Sequence, residues 1–232
     1  MAEPVRVNLV KLTVQTVVAM VVIALALFLP AGTFAWPAGW IFIVLMFFLS
    51  IAESVWLIRF NPALMNERLS GLGRKDQATW DKVLMSFVAV AFFGWFALMG
   101  LDAVRFRWSH VPAWLQIVGG LVFVASFPIF HAAFRENSFL SPAVRVQTER
   151  AQTVVSTGPY ARVRHPLYAG FVVFVVGAAL LLGSWWGVAG AFVLIVLVAV
   201  RAVGEERMLR ERLPGYAEYM REVRYRFVPG IW

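Results

Sequence analysis

From Leu167 to Val200 the chain carries no charged residue, and the only break in this stretch is "GSWWG" at 183–187. Few folds accept such a stretch. It is too long and too uniformly apolar for half-buried strands, and it suits two helices joined by a tight turn. Apolar runs approaching the roughly 20 residues that cross a bilayer core recur along the chain. They predict spans at about Val10–Leu29, Trp40–Ile58, Val83–Leu101, Trp114–Phe134, Leu167–Leu182 and Gly187–Val203. The fifth is short, which implies tilt, partial burial or extension at one end. The expected fold class is all-α: a polytopic transmembrane bundle of about six spans, with a C-terminal helical hairpin and an amphipathic tail helix on the cytoplasmic side.

Composition agrees. Of the 232 residues 61% are hydrophobic and only 15% charged, against about 25% in an ordinary soluble domain. Mean hydropathy is +0.75. Several of the 10 tryptophans flank apolar runs, as in an interfacial aromatic belt. The net charge of +8 therefore points to membrane headgroups and orientation, not to nucleic acid. The first run reads as a retained helix and not as a cleaved signal.

Basic residues are placed unevenly. Arg6 and Lys11 precede the first span. Arg59, Arg68, Arg74, Lys75 and Lys82 follow the second. Arg135, Arg145, Arg150, Arg162 and Arg164 follow the fourth, and seven arginines lie from Arg201 onward. Only Arg105 and Arg107 fall on the other side. An even number of spans with both termini cytoplasmic satisfies the positive-inside rule. Arginine outnumbers lysine 18 to 3, which suggests a GC-rich bacterial genome and an inner-membrane location. Two regions follow: residues 1–134, holding four spans, and residues 135–232, holding the connector, the hairpin and the tail.

Chemistry has few places to reside. There is no cysteine, which excludes disulfides, thiolate ligands and a cysteine nucleophile. His110, His131 and His165 lack the spacing of a metal motif, so no metal site is expected. In "TGPYARVRHPLYAG" (157–170), Pro166 suits the first turn of a helix. The helix N-terminus with Arg164 and His165 makes an anion site at the membrane surface, or else a plain basic anchor. Beyond the hairpin come Arg201, Glu205 and Glu206. Arg201 and Glu205 share a helix face and can pair. Glu206 lies about 100° around the helix, free for another partner. Carboxylates leaving a membrane helix are costly unless paired or functional. The same holds for Glu53, inside the second run, for which Arg59 or another helix is a candidate partner.

These features together resemble the isoprenylcysteine carboxyl methyltransferase family, integral membrane enzymes that use S-adenosylmethionine. Gly158, Tyr160, Arg164, His165, Pro166, Tyr168 and Gly170 match its first motif. Arg201, Glu206, Tyr216 and Tyr219 match the second, after the hairpin, so that the resemblance covers about the last 90 residues. "NPALMNERLSGLGRKDQATWDKVL" is similar to bacterial members. The resemblance implies cofactor contacts at Tyr160, Arg164, His165, Pro166, Tyr168, Gly170, Glu205 and Glu206, with Gln147 at the pocket edge. It also implies that Arg201 lies near the methyl acceptor, with Arg201 and Glu206 as the catalytic pair. The cofactor's chemistry fits this set: a basic helix mouth for its carboxylate, Glu206 for its ammonium, and Tyr160 or Tyr168 for adenine or sulfonium.

The expected function is methyl transfer from S-adenosylmethionine to a hydrophobic or amphiphilic acceptor reached from membrane lipids. A prenylcysteine-like carboxylate leads, with amine and thiol open. A carboxylate needs a cation to orient it and no base, whereas an amine or thiol needs one. The competing readings are an NADPH-dependent membrane sterol or enone reductase and a non-enzymatic scaffold. A reductase must hold two phosphate groups, and the two glutamates argue against that.

Overall fold

The computed structural model describes residues 6–71, 73 and 75–232. Arg74, counted above among the basic residues, lies outside them. Among the described residues there are eight α-helices and no strand: α1 Leu9–Ala31, α2 Pro37–Phe60, α3 Pro62–Ser70, α4 Thr79–Gly100, α5 Ala113–Glu136, α6 Pro166–Leu181, α7 Trp185–Arg212 and α8 Tyr216–Glu222. Five of these, with α4 continued through a π-helical turn to Phe106, are long and apolar enough to cross a membrane. The protein is a multi-pass membrane protein.

The helix ends follow local chemistry. The Asn8 side chain accepts from the Lys11 amide at 2.9 Å, and Gly32, in the left-handed region at φ 71°, closes α1. Asn61 does two jobs. Its amide ends α2 on the Leu57 carbonyl, and its side chain caps α3 through the Leu64 amide. Proline opens α2, α3 and α6, where its missing N–H costs nothing. Ser184 caps α7 by accepting from the Gly187 amide at 2.7 Å.

The core is aromatic. Phe42, Phe96, Phe123 and Phe174 are buried between helices, with ring centroids of neighbours 5.1–5.5 Å apart. The α5–α6 pair is the tightest. A Cβ built on Gly177 would lie 2.4 Å from the Phe123 amide nitrogen, and one on Gly119 would lie 2.5 Å from Leu180. Small residues that let backbones approach are a common basis of helix association in lipid. The outer faces of α1, α2 and α4 are exposed and apolar, with Val14, Val18, Phe48 and Val90 among them.

Two boundaries differ from expectation. The fifth span is the 16-residue α6, about 24 Å long at helical rise, short of the roughly 30 Å core. None of its residues is exposed, so neighbouring helices shield it. It still runs the length of the bundle, from Glu206 contacts at His165 to Asp102 contacts at Ser184. The last span extends to Arg212 and not to Val203. This keeps Glu205 and Glu206 helical. The expected tail helix is the short α8, followed by an irregular strap.

Candidate active site at the rim

The strap fixes the mouth of α6. Arg164 and His165 donate their backbone amides to the carbonyls of Tyr225 and Arg226, both at 2.9 Å. Arg164 also donates to the carbonyls of Val223 and Arg224, at 2.7 and 2.8 Å. Three side chains then meet Glu206: Arg164 at 2.7 Å, His165 at 3.1 Å and Arg226 at 2.9 Å. Glu206 is 3% exposed. A buried carboxylate held by three donors is an anchor, and its charge is matched within the protein.

Beside this anchor lies a cleft of about 820 Å³ counted to its open mouth, walled by α6, α7, the connector and α8. Of the residues singled out from sequence, Tyr160, Arg164, His165, Tyr168, Arg201, Glu205, Tyr216 and Tyr219 line it. Gln147, Pro166, Gly170 and Glu206 do not. Gln147 is fully buried in the connector, where its amide donates to the Phe139 carbonyl at 2.6 Å and accepts from Arg150 at 2.7 Å. Gly170 makes room for the Phe130 ring. Pro166 opens α6. These are supports of the wall.

Arg201 and Glu205 do not pair directly along their shared helix face. Arg201 reaches α4 instead, donating to Asp81 at 2.8 and 3.3 Å and to the Pro142 carbonyl at 2.6 Å. Its remaining nitrogen donates to the Tyr168 hydroxyl at 3.0 Å, and that hydroxyl donates to Glu205 at 2.8 Å. Asp81 is fully buried and also accepts from Gln77 and the Val144 amide. Sequence reasoning missed Asp81 as a site residue. The available signal was an acidic residue at the threshold of an apolar run, in "TWDKVL".

Each arginine at the cleft therefore has a carboxylate: Arg201 has Asp81, Arg164 has Glu206, and Arg145 has Glu67, Asp76 and Glu149. Burial opposes the Arg145 charge, but Glu149 and Glu67 raise its pKa well above the ordinary value. Glu205 is the carboxylate that faces the cleft with a tyrosine hydroxyl as its bonded donor.

Tyr160 is 5% exposed and lines the cleft, and its hydroxyl has the Asn137 side chain as its near polar neighbour without a well-aligned hydrogen bond to it. Burial raises the pKa of Tyr160, Tyr216 and Tyr219 well above the ordinary tyrosine value, and nearby Glu205 adds to this at Tyr160 and Tyr216. The phenols stay neutral and act as hydrogen-bonding groups and rings, not as bases. Tyr219 donates to the Tyr160 carbonyl at 2.8 Å, tying α8 to the connector.

Glu53 pairs with another helix and not with Arg59. His131 of α5 lies 3.1 Å from it, with Trp56 edge-on to the imidazole. Buried Phe134 and partly buried Leu140 and Leu167 pack in the apolar cluster between α2, α3 and α5, and Glu53 and His131 do not line the cleft.

The structure is thus that of a multi-pass membrane protein, a bundle of long apolar helices with a polar, tyrosine-lined cleft at its rim. Residues 110–214 match the sequence model of the phospholipid methyltransferase family. The match runs from just before α5 to just past the end of α7, and over that stretch the chain is similar to membrane methyltransferases. It lends no support to a reductase. No curated protein matches the chain significantly.

Proposed function

We propose that the rim cleft takes S-adenosylmethionine and an amphiphilic acceptor drawn from the bilayer, and that residues 135–232 supply most of the site. The observation that carries this reading is Glu205. It is a carboxylate aimed into a tyrosine-lined cleft, inside the matched region, while the other carboxylates around it are held by arginines. Such a group attracts a cation, and the cofactor brings two, an ammonium and a sulfonium. The Tyr160 hydroxyl, with only Asn137 near it, offers a polar contact, and the rings of Tyr160 and Tyr216 offer faces for a cation or a flat base.

The bound cofactor would supply an electrophilic methyl group on positive sulfur. The chain's task is to hold the acceptor in line with that methyl and to exclude water. Leu140, Leu167, Leu209 and Leu213 give the cleft apolar walls, suited to the chain of an amphiphile.

The arginine geometry bears on the acceptor. Orienting an acceptor carboxylate with Arg201 requires that guanidinium to leave Asp81. An amine, as a phospholipid headgroup can carry, needs no such rearrangement. The ammonium form first loses one proton to water, the freed lone pair then attacks the methyl carbon, and the N–C bond forms as the S–C bond breaks, leaving a methylated ammonium and the neutral thioether. We therefore place an amine acceptor ahead of a carboxylate one. The distribution of basic residues supports a cytoplasmic side for the cleft and both termini.

Calorimetry on detergent-purified protein tests the reading. S-adenosylmethionine and S-adenosylhomocysteine are expected to bind in the micromolar range, and NADPH not to bind. Glu205→Gln is expected to weaken binding at least tenfold, about 1.4 kcal/mol. Absence of binding in the unmodified protein, or binding of NADPH alone, overturns the proposal.

A further inference from the structure

We infer that Asp81 is a positioning residue of the rim site: by holding Arg201, it keeps Glu205 available for a cationic ligand. The inference rests on the proposed reading of the cleft. Asp81 stands at the start of α4, outside the matched residues 110–214, and does not line the cleft. It acts through another side chain.

The geometry is a relay. Asp81 takes the Nε and one terminal nitrogen of Arg201. The other terminal nitrogen meets Tyr168, whose hydroxyl meets Glu205. Arg201 and Glu205 are four residues apart on α7, the spacing at which an arginine and a glutamate pair across one helical turn. Left to themselves in a partly buried site they would close on each other, because each would otherwise carry an unmatched charge. Asp81 removes the need. It is 0% exposed, and the Val144 amide and Gln77 hold it in place at 2.9 and 2.8 Å. Tyr168 then spaces the guanidinium from the glutamate. The result is a wall in which Glu205 faces the cleft with no direct arginine contact, linked to Arg201 only through the Tyr168 hydroxyl.

A structural role alone predicts that loss of Asp81 lowers stability and leaves ligand affinity in the folded fraction unchanged. A positioning role predicts a pattern across variants. In Asp81→Asn, Arg201 turns to Glu205, and S-adenosylhomocysteine binding is expected to weaken at least tenfold. In the double variant Asp81→Asn with Arg201→Gln, Glu205 is relieved of Arg201, and affinity is expected to rise at least threefold above that of Asp81→Asn. Gln77→Leu removes a support of Asp81 without touching Arg201. It should lower the melting temperature while leaving affinity nearly unchanged.

The readout is S-adenosylhomocysteine affinity by calorimetry, with melting temperature measured in parallel. If the unmodified protein does not bind, the reading of the cleft fails. If it binds and Asp81→Asn binds equally well, the inference about Asp81 fails while the cleft stands. A double variant as weak as the single one also overturns it. The double variant leaves no buried charge unpaired, so it keeps the question open to measurement even if Asp81→Asn does not fold. Binding more than tenfold weaker than that of the unmodified protein then counts against the proposal.

Discussion

The two ends of α7 treat buried charge in opposite ways. At its C-terminal end, the rim, buried carboxylates meet arginines: Asp81 with Arg201, Glu206 with Arg164 and Arg226, Glu67 with Arg145. At its N-terminal end Asp102, fully buried in the π-helical turn after α4, accepts from the hydroxyls of Ser109 and Ser184 and from the Trp186 amide. No arginine pairs with it among the described residues, and its second oxygen has no partner. A carboxylate facing the first turn of a helix is a dipole partner and a latch. Paired charges around a cleft can instead be rearranged by a ligand, because each group has an alternative partner within reach. Chemistry is therefore to be sought at the rim, and fold integrity at the other end.

The largest expected effect separates the ends most sharply. Arg164→Ala strips Glu206 of its shortest contact and leaves the carbonyls of Val223 and Arg224 without their donor. Removing one member of a buried ion network costs about 3–5 kcal/mol. Thermal unfolding in detergent should show it, and the strap 223–232 should become sensitive to protease before the bundle melts. A loss no greater than that at Asp102 would break the comparison.

Next comes pH. Burial raises the pKa values of Tyr160, Tyr216 and Tyr219. Below about pH 10 these phenols are protonated in both folded and unfolded chains and stability is fully present. As pH rises beyond that, the unfolded chain releases protons that the folded chain keeps. Stability then falls by roughly 1 kcal/mol per tyrosine per pH unit, until the folded values are reached. The melting temperature should stay level from pH 7 to 9 and drop steeply above 10. Tyr160→Phe should flatten part of that drop. A flat profile to pH 11 would mean that these rings are wetter than the structure shows.

The sequence read the body of the molecule well because apolar length is a local property. It misjudged the end of α7 because an apolar run ends where charge begins, whereas a helix need not. Glu205 through Arg212 are rich in good helix formers. The nine-residue α3 escaped because it is too polar and short to show a span, although Asn61–Pro62 is a start signal. At the site, spacing brought Arg164, His165, Tyr168, Arg201 and Glu205 to one rim. Spacing also put Glu205 and Glu206 on different faces, but not which one faces the cleft. That is decided by Arg226 and Arg164, 20 and 42 residues away. The partner of Arg201 lies 120 residues off, beyond any periodicity.

The smallest effect is expected at Asp102, and its smallness is informative. Asp102→Asn keeps the shape and an oxygen for Ser184 and the Trp186 amide, and loses only the charge facing the start of α7. A charge in that position is worth about 0.3–1 kcal/mol, so the melting temperature should fall by a few degrees at most. Ser184→Ala removes the cap itself and should cost about 1 kcal/mol. Neither change should alter S-adenosylhomocysteine affinity, since α7 still delivers Arg201 and Glu205 to the rim in the same register. If Asp102→Asn weakens that affinity tenfold while the protein stays folded, the two ends are coupled along α7. The division of labour between them would then have to be given up.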